Sequence, residues 1–270
     1  MRDTAAPESA AAPVAPIAPV ATPKRRRRRG LKITLIASAV VLVLALAGGA
    51  ITLWYFGHDD PARYEESVDA IEQRFADGYP QGQVLLSGSS FFEFWETSAD
   101  DLAPLPTTNI GIGGTKVIDH LTYFDRMVVP FAPRTLVLYI GSNDMGGIPL
   151  YTKSAEHTVG LIEQYIAEAH AKVPDATVYY VAVTEAPARA GVRSDIQHAN
   201  AMLAERARET GDFTFIDTAP ALLNADGSID GTLFGPDRLH FNEKGYERFA
   251  EAIRQGLAPE YARDWSATTP

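Results

Sequence analysis

Residues 135–144 read Thr-Leu-Val-Leu-Tyr-Ile-Gly-Ser-Asn-Asp, an uninterrupted apolar run that stops at a glycine and three small polar residues. A short apolar run bounded by turn residues is typical of a strand that is buried on both faces. The same arrangement occurs earlier in the chain, where residues 84–86 (Val-Leu-Leu) precede residues 88–90 (Gly-Ser-Ser). Both runs therefore predict buried strands with polar side chains at their carboxyl ends.

Alternating strands and helices are predicted around these two runs. Further candidate strands lie at residues 107–110, 177–183 and 213–216. Apolar residues at helical spacing predict helices at residues 61–75, 116–127, 155–173, 195–210 and 243–257. This alternation implies a parallel sheet covered on both faces, and ligands bind such sheets beyond the carboxyl ends of the strands. The polar residues at 88–90 and 141–144 are therefore expected to share one crevice.

Charge and composition exclude several classes of function. The chain has 270 residues, no cysteine and a net charge of −10. The lack of cysteine excludes disulfides, thiolate catalysis and cysteine-ligated zinc. Residues 1–32 carry a charge of +6, which leaves −16 for the remainder. Because a domain that acidic repels polyanions, we expect no nucleic-acid partner.

The N-terminal residues form two segments of different composition. Residues 1–32 are rich in Ala and Pro and contain the basic run Lys24–Arg29, which predicts a disordered tail. Residues 33–56 carry no charge, and a helix over them would reach ~36 Å, enough to cross a ~30 Å hydrocarbon core. Trp54 and Tyr55 lie at its outer end, where interfacial aromatic residues are expected.

The basic run predicts the orientation of this segment. Positive charge on its N-terminal side places the N-terminus in the cytoplasm and the rest of the chain outside. The alternative is a cleaved signal peptide, but the apolar stretch is long for one, and no small-x-small site precedes a polar boundary. We therefore predict a single-pass membrane protein with a signal-anchor at residues 33–56. Residues 57–270 would form one extracytoplasmic domain.

Four short segments of the predicted domain contain residues of the types found in catalytic sites. In chain order they are residues 88–90, 109–114, 141–144 and 237–240. Taken singly, each has a simpler interpretation, because serines cap helices and Gly and Asn form turns. Taken together, they offer a nucleophile, backbone donors, an amide donor and a base with a carboxylate, which are the parts of an ester hydrolase.

Each segment contributes a candidate residue. Ser90 lies at the predicted start of a helix, where backbone amides favour a developing negative charge. The glycines of residues 111–114 allow the backbone to approach a ligand, and the side-chain amide of Asn143 is suited to donate to an oxyanion. Asp237 and His240 pair a carboxylate with an imidazole whose other nitrogen can take the serine proton.

Two similar patterns are less suitable. Asp195 and His198 have the same spacing as Asp237 and His240, but they lie in a predicted helix, where such pairs usually decorate the surface. Residues 226–237 mimic a calcium loop, yet this stretch ends in Asp, contains Pro236 and lacks flanking helices. We therefore predict no metal and no cofactor. The aromatic residues at positions 91–95 either line an acyl pocket or pack against the sheet.

The four segments resemble those of the SGNH hydrolases, the GDSL-type esterase and lipase superfamily, over residues 61–260. Wider features resemble a membrane-anchored, bacterial esterase-like branch, although Ser89 stands where the family usually has an aspartate. The resemblance implies a three-layer, flavodoxin-like α/β fold with a five-stranded parallel sheet. It also implies a metal-independent acyl-enzyme mechanism, with catalytic roles for Ser90, Gly114, Asn143, Asp237 and His240.

The predicted function is therefore that of a membrane-anchored serine esterase acting on short-chain acyl esters of a small molecule, glycan or lipid. One alternative is an O-acyltransferase on an envelope glycan or lipid, because the same residues serve hydrolysis and transfer. Another is a catalytically silent, membrane-tethered binding module. The intact set of four segments argues against that module.

Overall fold

The computed structural model describes residues 24–266, so that most of the predicted tail, residues 1–23, lies outside the described residues. The chain divides into two units after Thr52. Helix α1 (Lys24–Gly57) begins ahead of the predicted span at residue 33. Its residues from Lys32 to Tyr55 have a mean hydropathy of 2.4. By length and composition this helix is able to cross a membrane, and a signal sequence has the same properties.

The second unit contains the predicted five-stranded parallel sheet. Its strands are β1 (Val84–Gly88), β2 (Thr107–Asn109), β3 (Thr135–Tyr139), β4 (Thr177–Val181) and β5 (Thr214–Ile216). Every neighbouring pair is parallel, and the order across the sheet is β2-β1-β3-β4-β5. The predicted α/β architecture is therefore confirmed.

Helices connect these strands. They are α2 (Glu65–Arg74), α3 (Ser90–Glu93), α4 (Ser98–Asp101), α5 (Val117–Thr122), α6 (Phe124–Met127), α7 (Ala155–Lys172), α8 (Arg193–Thr210), α9 (Ala219–Leu222), α10 (Glu243–Gly256) and α11 (Ala258–Tyr261). Short 3-10 turns occupy Pro61–Tyr64, Val129–Phe131, Pro187–Val192 and Gly231–Leu233. The helix predicted at residues 116–127 is wrong in one respect, because it is broken into α5 and α6 at Tyr123. The backbone of Tyr123 leaves the helical region, and its hydroxyl donates to the Pro61 carbonyl and to Glu65.

Successive strand residues contribute to two apolar clusters. In β3, Leu136 and Leu138 join a cluster that contains Ile162 of α7, whereas Val137 and Tyr139 join a cluster that contains Phe249 of α10. This alternation follows from the two-residue period of a strand. Helices therefore cover the sheet on both sides, which explains why the central strands β1, β3 and β4 are rich in apolar residues.

A buried carboxylate lies at the start of α5. Asp119 Oδ2 accepts a hydrogen bond from the Lys116 backbone N–H at 2.7 Å, whereas Oδ1 has no partner among the described residues. Burial, reinforced by the nearby negative charge of Asp144, raises the pKa of Asp119 to about 6. The ionised form of this side chain is therefore disfavoured in the folded protein.

Asp119→Asn is expected to stabilise the protein at neutral pH by about 1–2 kcal/mol. Because folding raises the pKa of Asp119 above 3.8, the stability that its proton confers is fully present below about pH 4 and is lost as the pH rises through about 6. Asparagine keeps the acceptor for Lys116 and never ionises. Thermal unfolding of both full-length proteins from pH 4 to 8 measures the difference, which should vanish near pH 4. Parallel profiles over the whole range would contradict this account.

Candidate active site

The turn between β1 and α3 positions Ser90. Strand β1 ends at Gly88, and Ser90 is the first residue of α3. A Cβ on Gly88 would lie 2.7 Å from the Tyr139 carbonyl oxygen and 2.9 Å from the Phe92 ring. Only glycine fits this close approach, so the chain turns directly from the strand into the helix and presents Ser90 at the carboxyl edge of the sheet.

Ser90, His240 and Asp237 form a continuous hydrogen-bonded chain. Ser90 Oγ lies 2.8 Å from His240 Nε2, and His240 Nδ1 lies 2.6 Å from Asp237 Oδ2. Because the carboxylate accepts from Nδ1, that nitrogen carries the proton and Nε2 is left to accept from the serine hydroxyl. The sequence pattern paired these residues, and the structure brings all three together.

A tight turn holds the carboxylate against the imidazole. Asp237 Oδ1 accepts from the backbone N–H groups of Leu239 at 3.0 Å and His240 at 3.1 Å. Burial would raise the pKa of Asp237, but these amides and the His240 ring outweigh it and lower that pKa below its usual value. Arg238 has a φ of +58°, in the left-handed region, which lets the chain reverse between Asp237 and His240. Asp237 is therefore held as an ionised acceptor.

The segment after β2 packs against α3 and leads to Gly114. The Asn109 side chain donates to the Phe92 carbonyl at 2.7 Å and accepts from the Gly111 backbone N–H at 2.9 Å. Gly111 has no room for a Cβ beside the backbone of Glu93. Gly114 has a φ of +80°, which favours glycine. Asn109 thus fixes the shape of this segment, and Gly114 lies where the segment turns towards α5.

The side-chain amide of Asn143 is oriented from both ends. Its Nδ2 donates to the Thr115 carbonyl at 3.0 Å, and its Oδ1 accepts from Arg189 Nη2 at 2.8 Å. Because a guanidinium group only donates, it holds Oδ1 on its own side and turns the NH2 group the other way. Arg189 also donates to the Ser142 carbonyl. Burial lowers the pKa of Arg189.

Hydrogen bonds between the four polar segments bring them to one region of the structure. Through Thr115, Asn143 is bonded to the residue that follows Gly114. The buried Ser89 hydroxyl lies 3.4 Å from that of Ser142, so that the Gly-Ser-Ser and Gly-Ser-Asn-Asp segments touch. Arg189 was not predicted. It lies in an Ala- and Pro-rich stretch without periodicity, where a single basic residue is the only signal.

The residues judged less suitable lie elsewhere. His198 is exposed and pairs with Glu156 at 3.2 Å, which agrees with its interpretation as a surface residue. In the calcium-like stretch, Asp226 and Asp230 accept hydrogen bonds from the residues two positions later. Within residues 24–266, no group of three or more His, Asp or Glu side chains is arranged to hold a metal ion.

The aromatic residues after Ser90 divide into two roles. Phe91, Phe92 and Trp95 are buried in the core. Phe94 is 47% exposed, and its ring meets the His240 ring edge-on at a centroid distance of 4.8 Å. Packing therefore accounts for three of the four, although the Phe91 ring also lies 5.6 Å from the His240 ring. Phe94 borders the triad with a half-exposed side chain.

Known proteins of similar fold share this architecture. A protein from Streptococcus pneumonia, provisionally described as a platelet activating factor, has a TM-score of 0.64 at 18% identity and covers 79% of this chain and 99% of its own. A GDSL-like lipase from Bacteroides thetaiotaomicron has a TM-score of 0.60 at 20% identity, with coverages of 76% and 99%. An acetyl-xylooligosaccharide esterase from Geobacillus stearothermophilus has a TM-score of 0.56 at 16% identity, with coverages of 69% and 98%.

Sequence comparison identifies the family. Curated protein sequences gave no significant match. The model of the GDSL-like Lipase/Acylhydrolase family matches residues 75–248, a range that contains all four polar segments. The chain therefore belongs to the GDSL-like lipase and acylhydrolase (SGNH) family, and it is an acylhydrolase of that type.

Proposed function

We propose that this acylhydrolase is a serine esterase in which Ser90 is the nucleophile, His240 the general base and Asp237 the residue that orients it. The main support for this proposal is the hydrogen-bonded chain from Ser90 Oγ through His240 to Asp237. Ser90 Oγ attacks the ester carbonyl carbon while its proton passes to Nε2. His240 then protonates the leaving alcohol, and a water molecule, activated by the same nitrogen, releases the acid from the acyl-enzyme.

The negative charge that develops on the carbonyl oxygen needs donors. We assign this role to the backbone N–H groups of Ser90 and Gly114 and to Asn143 Nδ2. Nδ2 carries two hydrogens, and the Thr115 carbonyl takes one, which leaves the second for the oxyanion. Preorganised donors of this kind provide a large part of the rate enhancement in acyl transfer.

Covalent labelling tests the nucleophile. A fluorophosphonate reacts with an activated serine hydroxyl and remains attached. Mass spectrometry of peptides from the labelled full-length protein should find the adduct on Ser90. An adduct on another serine would overturn the assignment of Ser90, and the absence of any adduct would overturn the serine-esterase mechanism.

Arg189→Lys is expected to lower kcat about tenfold with little change in KM, because oxyanion donors act mainly in the transition state. Lysine keeps the charge but lacks the planar fork that reaches Asn143 Oδ1 and the Ser142 carbonyl together. Steady-state kinetics on nitrophenyl acetate measure the effect. Arg206→Lys, at an exposed ion pair on α8, is the matched control and should change neither constant. A rise in KM alone would show that Arg189 does not act through the oxyanion donor.

Two observations support hydrolysis of short-chain esters. The Phe94 ring lies against the His240 ring at a centroid distance of 4.8 Å, and a bulky side chain beside the triad favours a small acyl group. The side chains of His240 and Asp237 are 22% and 52% exposed, so that water reaches the acyl-enzyme and competes with any acceptor alcohol. A series of nitrophenyl esters should show the highest kcat/KM for acetate, with the free acid as the product. Fastest turnover of long chains would contradict this specificity, and a predominantly transferred product would favour an acyltransferase.

The N-terminal helix supports a location at a membrane. We propose that residues 33–56 anchor the protein, with residues 1–32 in the cytoplasm and residues 57–270 outside. The helix is continuous from Lys24 to Gly57, and its residues from Lys32 to Tyr55 form the apolar stretch. The basic run at its start and the aromatic pair at its end favour this orientation.

A further inference from the structure

The residues that follow the apolar stretch are bonded to side chains next to the oxyanion segments, the residues 109–114 and 141–144 that hold the proposed donors Gly114 and Asn143. Lys116, two residues after Gly114, is buried, and its Nζ donates to the Gly57 carbonyl. Asp59 pairs with Lys116 and with Lys153, each at 3.1 Å. Lys153 in turn pairs at 2.8 Å with Asp144, the neighbour of Asn143. These bonds fix the end of the helix beside the loops that form the proposed active site.

The distance along the chain is short. Tyr55 is the last residue of the apolar stretch, and the two residues that lead to Gly57 span at most ~7 Å. Because Lys116 contacts Gly57, only a few residues of chain separate the oxyanion segment of residues 109–114 from the aromatic pair Trp54 and Tyr55. A domain on a long tether would have no such constraint.

Few large apolar side chains are exposed in the described part of the second unit. Among its described residues, the large hydrophobic side chains that are exposed are Leu53, Trp54, Tyr55, Phe94 and Leu150. The first three form the end of α1, and Phe94 borders His240. Leu150 lies in the loop of residues 146–152, directly after the Gly-Ser-Asn-Asp segment. The next residue, Tyr151, packs so closely on Gly57 that no Cβ would fit there.

Leu150 itself is unusual in two ways. It is fully exposed, and its φ of +70° lies in the left-handed region that bulky residues avoid. The loop thus holds an apolar side chain outward in a backbone conformation that suits glycine or asparagine better. Exposed apolar side chains beside interfacial aromatic residues are typical of surfaces that contact a membrane.

We propose that the loop of residues 146–152 inserts Leu150 into the outer surface of the bilayer that α1 crosses, and that the active site takes its ester from that surface. The substrate class is an amphipathic ester whose alcohol part remains in the bilayer while its short acyl group reaches Ser90. The identity of the substrate rests on the proposed esterase function. The docking of the loop rests on the proposed membrane anchor at residues 33–56, on the exposed residues and on their connection to the end of α1.

Site-specific labelling tests the docking. The chain has no cysteine, so Leu150→Cys provides a single thiol for an environment-sensitive fluorophore. The full-length protein is reconstituted in phosphatidylcholine vesicles, and Ala201→Cys, at an exposed position on α8, is the matched control. At position 150 we expect blue-shifted emission that lipid-borne nitroxides quench, and at position 201 neither effect. Equal solvent exposure at both positions, or equal quenching at both, would overturn the proposal.

Activity tests the substrate class. Leu150→Asn removes the apolar side chain, and asparagine tolerates a left-handed backbone, so that folding is not compromised. In the same vesicles, the variant should hydrolyse the embedded acetate of a long-chain alcohol about fivefold more slowly than the wild type, since one apolar membrane contact is lost. Hydrolysis of water-soluble nitrophenyl acetate should be unchanged, and Ala201→Asn should affect neither ester. An unchanged rate on the embedded ester, or an equal loss on both, would contradict membrane presentation. A wild type inactive on both esters would instead contradict the esterase function.

Discussion

Ser90→Ala is expected to lower kcat for a short-chain ester by about 10⁵–10⁶-fold, because removing a catalytic serine abolishes the acyl-enzyme route. Ser90 Oγ is the atom that His240 Nε2 contacts at 2.8 Å, and no acyl-enzyme forms without it. Alanine fits at the first position of α3, so the protein should remain folded. Initial rates on nitrophenyl acetate at high enzyme concentration measure the residual activity.

Ser89→Ala provides the matched control for this experiment. The Ser89 hydroxyl is buried, and its partner is the Ser142 hydroxyl at 3.4 Å. Its loss is expected to reduce activity by less than about tenfold, since it removes a support of the segment and no reacting atom. If Ser90→Ala stays active while Ser89→Ala does not, the nucleophile has been assigned to the wrong serine.

Asn143→Ala is expected to lower kcat by about 10²–10³-fold, the usual effect of deleting one oxyanion donor. KM should change little, because the full charge on the oxygen exists only in the transition state. Alanine also leaves Arg189 Nη2 without its acceptor at 2.8 Å, which costs about 1–3 kcal/mol of stability. The kinetic effect must therefore be separated from a loss of folding.

Asn143→Asp makes that separation. A carboxylate still accepts from Arg189, but it offers no N–H to the oxyanion or to the Thr115 carbonyl, and it adds a negative charge beside both. Activity should fall at least as far as in the alanine variant, and the melting temperatures of both variants show how much of each loss reflects a loss of folding. Substantial activity in the aspartate variant would exclude Asn143 as an oxyanion donor.

Strands β1, β3 and β4 were predictable because they are buried on both faces. Residues 84–86 and 136–140 are apolar without interruption, and the structure shows why, since Leu136 and Val137 face opposite clusters. The break at Tyr123 was not predictable from helical spacing. It depends on the Pro61 carbonyl and Glu65, which lie 62 and 58 residues away in the chain.

In the candidate site, too, contacts between residues close in the sequence were predictable, whereas contacts between distant residues were not. Asp237 and His240 lie three residues apart in a Gly- and Pro-containing loop, so their spacing indicated the hydrogen bond that the structure contains. Arg189 lies 46 residues from Asn143, and nothing near it in the chain indicates that partner. The bond from the Asn109 side chain to the Phe92 carbonyl, 17 residues away in the chain, likewise had no signal in the sequence.

The distance in sequence between the proposed nucleophile and the proposed base has a consequence for biosynthesis. Ser90 and His240 are 150 residues apart, and a ribosome that adds ~5–20 residues per second needs about 8–30 s to pass from one to the other. Throughout that interval the nascent chain carries a serine hydroxyl without the imidazole that activates it. Ester cleavage therefore begins only when the C-terminal quarter of the protein has been translated and has folded onto the sheet. An incomplete chain is not expected to hydrolyse esters.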